Sequence, residues 1–358
     1  QPIIFETGAS NFDASLTPIT TTTGSDDNNR NILFVYSMRK IGMGLYARLC
    51  QYTSELNINN ALDDRISMKC NSTEKLLLKS NNVHPQDLKI LILDGNTYII
   101  VYSNWRNNMR VEMLICNLNT LVCSSESKVL NNKEESSHLS LTILPSPLGK
   151  TEKMVDKDGK LVNNVKHDKI DYLNVIFRTG TGTIKIITCS VKLENNDVGK
   201  VNCLSDPIVN PFKNVKLVSH VVGTKLNSRA SNMVVSFLRR ESNPCDVTSM
   251  FCSIGINHQT LDDELVCTKS PSHIIYQSAT NLKEPDTCTI NSLNIIPVGS
   301  INNVIANNGG GSNDIPDTVD NNNDNNVPFA GMIMAISQGN YARGLINWFG
   351  CPSGSVEI

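Results

Sequence analysis

Long apolar runs are missing from this sequence. None approaches the ~18 residues a membrane-spanning helix needs, so no span is expected. An excess of charge is missing too. The 32 basic and 34 acidic residues leave a formal net charge of -2, which gives no basic surface for nucleic acid or an anionic membrane. No Cys-x-x-Cys occurs, and no Cys/His group has zinc-ligand spacing. The histidines, His84, His138, His167, His220, His258 and His273, are scattered. His220 and His273 fall in strand-like runs and read as structural residues. There is no Gly-x-Ser-x-Gly for a hydrolase serine. Gly309-Gly310-Gly311 is not followed by Lys-Ser/Thr, so it is a linker rather than a phosphate cradle. Asp320 to Asn326 has the composition of a calcium loop without its glycine and closing glutamate. No metal or cofactor is expected, and helical periodicity is nearly absent.

Cysteine is what the sequence has. Eight of its 11 cysteines fall into short-range pairs: Cys50/Cys70, Cys116/Cys123, Cys189/Cys203 and Cys252/Cys267. Stretches with few or no cysteines separate the pairs. Free core thiols have no reason to pair in this way, whereas local disulfides do, and they belong to an oxidising compartment. Each such loop contributes about 3 kcal/mol by restricting the unfolded chain. Cys245, Cys288 and Cys351 remain unassigned, and the odd total leaves at least one free or intermolecular thiol. Asn71-Ser72-Thr73 is a glycosylation sequon. The chain starts at Gln1 without a charged-then-apolar leader, so any signal peptide is expected to have been removed. A secreted or extracellular protein is expected.

The cysteines punctuate a repeat. NILFVYS (Asn31 to Ser37) is followed by a polar turn, LYARLC ending at Cys50, and RISMKC ending at Cys70. TYIIVYS (Thr97 to Ser103), RVEMLIC ending at Cys116 and TLVC ending at Cys123 repeat that order. So do YLNVIFR (Tyr172 to Arg178) with Cys189 and Cys203, and NMVVSF (Asn232 to Phe237) with Cys252 and Cys267. The unit is strand, turn, strand closed by Cys, loop, strand closed by Cys. Antiparallel neighbours of this kind bring side chains within disulfide reach. Each unit needs a further strand at its beginning, for which Lys89 to Leu93, Leu139 to Leu144 and Val215 to Val222 are candidates. His273 to Gln277 with Thr287 to Val298 reads as a fifth unit, and Phe329 to Cys351 as a sixth. Ile3 to Thr7 is left over as a strand that completes the last unit.

The expected fold is all-β: one six-bladed β-propeller of four-stranded antiparallel blades over 1–358, most blades holding a disulfide. The blades fall near 30–75, 85–130, 137–205, 213–270, 272–305 and 327–355, with 2–8 closing the last. The Asn/Gly-rich stretch 303–327 and Lys150 to Lys169 read as loops. Tandem β-sandwiches are the competing architecture; they would pair cysteines between sheets.

No catalytic set emerges. A sialidase needs an arginine cluster, an acid and a tyrosine activated by a glutamate. No Arg-Ile-Pro-like segment precedes the first unit, and the nearest approach to an Asp-box, Asp156-Lys157-Asp158-Gly159, lacks the Thr and Trp. Glu134-Glu135 and Asp262-Asp263 are adjacent acids, which point apart on a strand or sit in a solvated loop. Arg106 with Arg110, and Arg239-Arg240, are the densest basic spots and lie at turns between strands, where a propeller meets partners. Trp105, in the NWRNN turn, is expected to be exposed and to serve as a contact hot spot, whereas Trp348 belongs to an apolar strand.

This layout resembles the cysteine-rich protective antigens of malaria parasites. The likeness spans the chain. It is most specific in MFCSIGINHQTLDDELVC (Met250 to Cys267) and ISQGNYARGLINWF (Ile336 to Phe349), and IIFET (Ile3 to Thr7) also fits. Cys245, Cys288 and Cys351 depart from the pattern. The resemblance implies a non-enzymatic adaptor of a host-cell invasion complex, carried from a secretory organelle to the parasite surface. It would bridge an erythrocyte-binding adhesin and an EGF-containing cysteine-rich protein. A sialidase-like hydrolase or a carbohydrate-binding propeller is the alternative.

Overall fold

The computed structural model describes residues 9–16, 29–38, 44–55, 65–70, 75–79, 85–93, 96–124, 127–131, 134–145, 154–155, 161–162, 170–192, 200–203, 218–225, 232–239, 246–256, 263–267, 273–277, 290–298, 329–338 and 341–350. These residues are all-β apart from one short 3-10 turn. The first sheet runs β1 (Ala9–Leu16), β2 (Asn29–Met38), β3 (Gly44–Glu55), β4 (Arg65–Cys70), with β5 (Lys75–Lys79) also on β3. The second runs β6 (Pro85–Ile92), β7 (Thr97–Asn104), β8 (Arg110–Asn117), β9 (Lys128–Val129). The third is β10 (Ser136–Pro145), then β13 (Ile170–Thr179), β14 (Ile184–Lys192) and β15 (Lys200–Cys203). Between β10 and β13, β11 (Met154–Val155) and β12 (Leu161–Val162) pair as a hairpin. The fourth sheet runs β16 (Val218–Lys225), β17 (Asn232–Arg239), β18 (Asp246–Ile256), β19 (Asp263–Cys267), with β20 (His273–Gln277) also on β18. The fifth has three strands, β21 (Ile290–Val298), β22 (Phe329–Gln338) and β23 (Tyr341–Gly350).

The repeat seen in the sequence is a repeat of register. In the first, third and fourth sheets the cysteine of the third strand lies directly opposite the cysteine of the fourth, Cys50 and Cys70, Cys189 and Cys203, Cys252 and Cys267; in the second, Cys116 of β8 faces Cys123 in an isolated bridge ahead of β9. All four pairs are disulfide-bonded, with Cα atoms 3.9, 3.9, 3.9 and 4.0 Å apart. The Cys116–Cys123 bridge shows why the position suits a disulfide. Backbone hydrogen bonds Asn117 N to Val122 O and Ser124 N to Ile115 O flank the pair, so the cysteines form a non-hydrogen-bonded pair, where strands come closest.

A second recurrence accompanies the first. Four residues beyond the one facing each cysteine, the second strand carries an aromatic. Tyr36 faces Tyr46, Tyr102 faces Glu112, and Phe237 faces Thr248. Phe177 is the corresponding aromatic of β13, and all four are 0–1% exposed. Burying a ring of this size contributes roughly 1.5–3 kcal/mol. Strand alternation then sorts the neighbours, because every second residue returns to the same face.

The chain divides into two compact units, 1–141 with 189–207, and 142–188 with 208–358. In the first unit, Leu33, Val35 and Leu45 of the first sheet pack with Leu88, Tyr98 and Ile100 of the second. In the second unit, Ile176, Ile184 and Ile186 of the third sheet pack with Met233, Val235 and Phe237 of the fourth. Gly223 permits that packing. A Cβ there would sit 2.0 Å from Cδ1 of the buried Ile176.

Several strand assignments differ from the sequence reading. The opening strand of the first sheet is Ala9–Leu16, whose alternation is too polar to stand out; Ile3 to Thr7 lies outside the described residues. His273–Gln277 pairs with β18 in the fourth sheet instead of founding a fifth unit, and Ile290–Val298 pairs with Phe329–Gln338. Lys150 to Lys169, read as a loop, contains the β11–β12 hairpin. The stretch 303–327 lies outside the described residues.

Candidate functional site

The β7–β8 hairpin of the second sheet gathers most of the unusual chemistry. All eight residues of β7 are buried, yet the strand runs directly into an exposed tip. Asn104 caps a single 3-10 turn, Trp105–Asn107, by accepting the Arg106 amide at 3.2 Å. Asn108 and Met109 then take positive φ values of 52° and 56°. Asn tolerates that conformation well and Met does not, so surrounding contacts must hold the turn. Met109 N donates to Asn104 O at 2.8 Å. Ser136 sends both its amide and its hydroxyl to Met109 O, at 2.9 and 2.5 Å. On this turn Trp105 is 54% exposed, with the Arg106 guanidinium 5.4 Å from its ring centre. A cation over an indole face at that range is attractive.

A buried carboxylate lies under the tip. Glu112 is 3% exposed and receives four hydrogen bonds. Asn104 Nδ2 (3.0 Å) and Asn107 Nδ2 (2.8 Å) donate to Oε1; the Tyr102 hydroxyl (2.8 Å) and the Ser127 hydroxyl (2.9 Å) donate to Oε2. Burial pushes the Glu112 pKa up, but the bonds from Asn107, Asn104, Tyr102 and Ser127 together outweigh it and hold the group below the usual glutamate range. Glu112 is therefore ionised near neutral pH, and Asn104 and Asn107 tie it to both ends of the turn carrying Trp105. Burial pushes the Tyr102 hydroxyl in the other direction, far above its ordinary value. Corresponding positions elsewhere are different: Tyr46 stacks on Tyr36 at 6.0 Å, and the buried Thr248 hydroxyl has no hydrogen-bond partner among the described residues.

Carboxylates also link first strands. Asp13 Oδ2 on β1 accepts the Ile90 amide of β6 at 2.8 Å, and Asp87 Oδ2 on β6 accepts the Leu139 amide of β10 at 2.6 Å. Asn11 Nδ2 adds a bond to Pro85 O at 2.6 Å, and Lys89 Nζ lies 3.8 Å from Asp13 Oδ1. Burial outweighs these partners and raises the pKa of both aspartates.

Among the residues singled out from sequence, Trp105 and Arg106 share one tip. Arg239 is the last residue of β17, opposite Asp246, in the other unit. Arg240, Asn71, Cys245, Cys288 and Cys351 lie outside the described residues. Sequence reading missed Glu112, Tyr102, Asn104 and Asn107. The available signal was a single acid inside RVEMLIC, on the face a strand of this kind buries. No protein-family model, no curated protein and no solved structure matches the chain.

Proposed function

We propose that this chain is a secreted, non-enzymatic binding or scaffold protein that engages protein partners through the β7–β8 tip. The observation that carries this reading is an exposed indole held on a turn fastened to a buried, ionised Glu112. A buried anion with no cation beside it among the described residues is a costly way to stabilise a fold. It is well suited to fixing a surface loop, and pre-ordered contact loops lose less entropy on binding. Four disulfides fit an oxidising compartment.

The same reading treats the sheets as propeller blades. Supporting it, first strands follow one another within each unit. β1 lies along β6, Asp87 ties β6 to β10, and β16 lies along β21. Apart from the two-stranded β11–β12 hairpin, the described residues form five sheets, so a sixth blade would draw on residues outside them. The resemblance to the protective antigens of malaria parasites adds the adaptor role in erythrocyte invasion, with an adhesin and an EGF-containing protein as partners.

The alternative, a sialidase-like hydrolase, would want a tyrosine beside a glutamate. Tyr102 and Glu112 are such a pair, but Tyr102 is 0% exposed, which argues against its hydroxyl as a nucleophile for a sugar. The two readings separate in one experiment. The full chain is incubated with a fluorogenic sialoside and, in parallel, used to isolate a defined protein complex from parasite culture. Complex formation lost in Trp105→Ala, with no turnover, is expected. Sialoside turnover abolished by Tyr102→Phe would overturn the proposal.

A further inference from the structure

We propose that the Trp105–Arg106 tip seats in an apolar pocket of a partner protein whose rim carries a carboxylate. This rests on the reading of the tip as a contact surface and adds the chemistry of what it contacts.

The indole supplies the first half. Trp105 is 54% exposed and carries the large apolar surface that a binding pocket rewards. Trp and Arg are also the side chains most enriched among residues that dominate interface energies. Phe12, the other exposed aromatic among the described residues, has different surroundings. It stands on β1 between Asn11 and Asp13, whose side chains are spent on β6.

The guanidinium supplies the second half. Arg106 lies over the ring, and its backbone amide is taken by Asn104. It forms no ion pair with a described carboxylate. The acid nearest in the hairpin, Glu112, has its oxygens occupied by Asn104, Asn107, Tyr102 and Ser127. Arg110, at the start of β8 opposite Asn104, likewise has no described carboxylate partner. Glu134 and Glu135 lead into Ser136, which bonds Met109 O. A guanidinium beside an aromatic face, with no ion-pair partner for its donors among the described residues, matches a carboxylate in a planar two-point contact. Arg106 and Arg110, the two described cations of the tip, are too few for a polyanion, whose binding comes from many released counterions. A single acidic side chain at a pocket rim is the fitting occupant.

The test uses the full chain and a random peptide library displayed on phage as the probe. Binders are selected on the wild type and remeasured on Trp105→Ala, Arg106→Glu and Arg106→Lys. Native disulfide maps and unchanged circular dichroism establish that each variant folds. The expected binders place Asp or Glu next to large apolar residues. They weaken at least about 30-fold on Trp105→Ala, as a hot-spot residue should. They weaken about tenfold or more on Arg106→Glu and keep part of their affinity on Arg106→Lys. Binders that need Trp105 but hold Arg106→Glu as tightly as wild type would overturn the carboxylate-rim partner and leave the contact surface standing. A selection in which no binder depends on Trp105 would overturn both.

Discussion

Replacing Glu112 by Gln changes one oxygen into an amide and removes one charge. Its consequences follow from where the four donors point. The Tyr102 and Ser127 hydroxyls, which serve Oε2, can turn and accept from a new amide group. Asn104 and Asn107, which serve Oε1, cannot, so the remaining oxygen must face them. All four contacts survive in altered form, but none is charge-assisted. Bonds to a charged group contribute ~1.5–3 kcal/mol each against ~0.5–1.5 for neutral ones, while the cost of burying the charge disappears. The net loss at pH 7 should be about 1–3 kcal/mol. Its pH dependence is the sharper test. A carboxylate whose pKa is lowered on folding contributes stability that is fully present above its ordinary value and is lost as pH falls through the lowered one. Glu112→Gln should therefore be less stable than wild type at pH 7, and the gap should narrow steadily below about pH 4.5. Urea denaturation across that range reads it directly, with Asp13 and Asp87 common to both proteins and cancelling. A gap unchanged between pH 7 and pH 3, or no gap at all, would refute the claim that four hydrogen bonds outweigh burial at this site.

Asp87→Asn should show the opposite slope. Its raised pKa means its contribution is fully present below about 3.8 and is lost as pH rises through the raised value, so the variant should gain on wild type between pH 3.5 and pH 7 in the same titration. Gly223→Ala forces Ile176 to move within a packed core and should cost about 1–3 kcal/mol, read by thermal denaturation; a silent substitution would show that Ile176 has room to turn away. The double change Cys116→Ser, Cys123→Ser opens a short loop and should lower unfolding free energy by about 2–3 kcal/mol without losing the sheet, as judged by urea midpoint and circular dichroism.

The sheet class and the four bridges were legible because both depend on local spacing. A cysteine ending one strand and a cysteine ending the next are neighbours as soon as the strands pair. The edges of the pattern were harder. Ala9–Leu16 reads ASNFDASL, and its Asn11 and Asp13 look like loop residues until their side chains are seen reaching the backbone of β6. His273–Gln277 was misplaced because one short apolar run cannot say which neighbour it will join. In the structure it extends the line of β19 along β18, as β5 extends β4 along β3. At the site, Trp105 and Arg106 could be read from the turn around them. Glu112 could not. An acid in an apolar strand is legible only as an anomaly, and its four donors come from β7, the tip and Ser127.

The repeat itself provides a control for why Glu112 is there. The position facing the second-strand aromatic is Tyr46 in the first sheet and Thr248 in the fourth, so the fold accepts residues without charge at this place. Stability alone therefore does not require an anion opposite Tyr102. In the second sheet the turn above this position bonds to the acid, with Asn104 capping and Asn107 reaching down to Oε1. Glu112→Thr, which imports the residue of the fourth sheet, should then fold and keep its disulfides while freeing the turn. Hydrogen exchange is the suitable measurement, because the Arg106 and Met109 amides are both bonded to Asn104. Those two amides should exchange markedly faster in the variant, with β7 amides such as Ile100 changing far less. Equal acceleration throughout the sheet would mean that Glu112 supports the core in general, and the anion would then have no special connection to the displayed tryptophan.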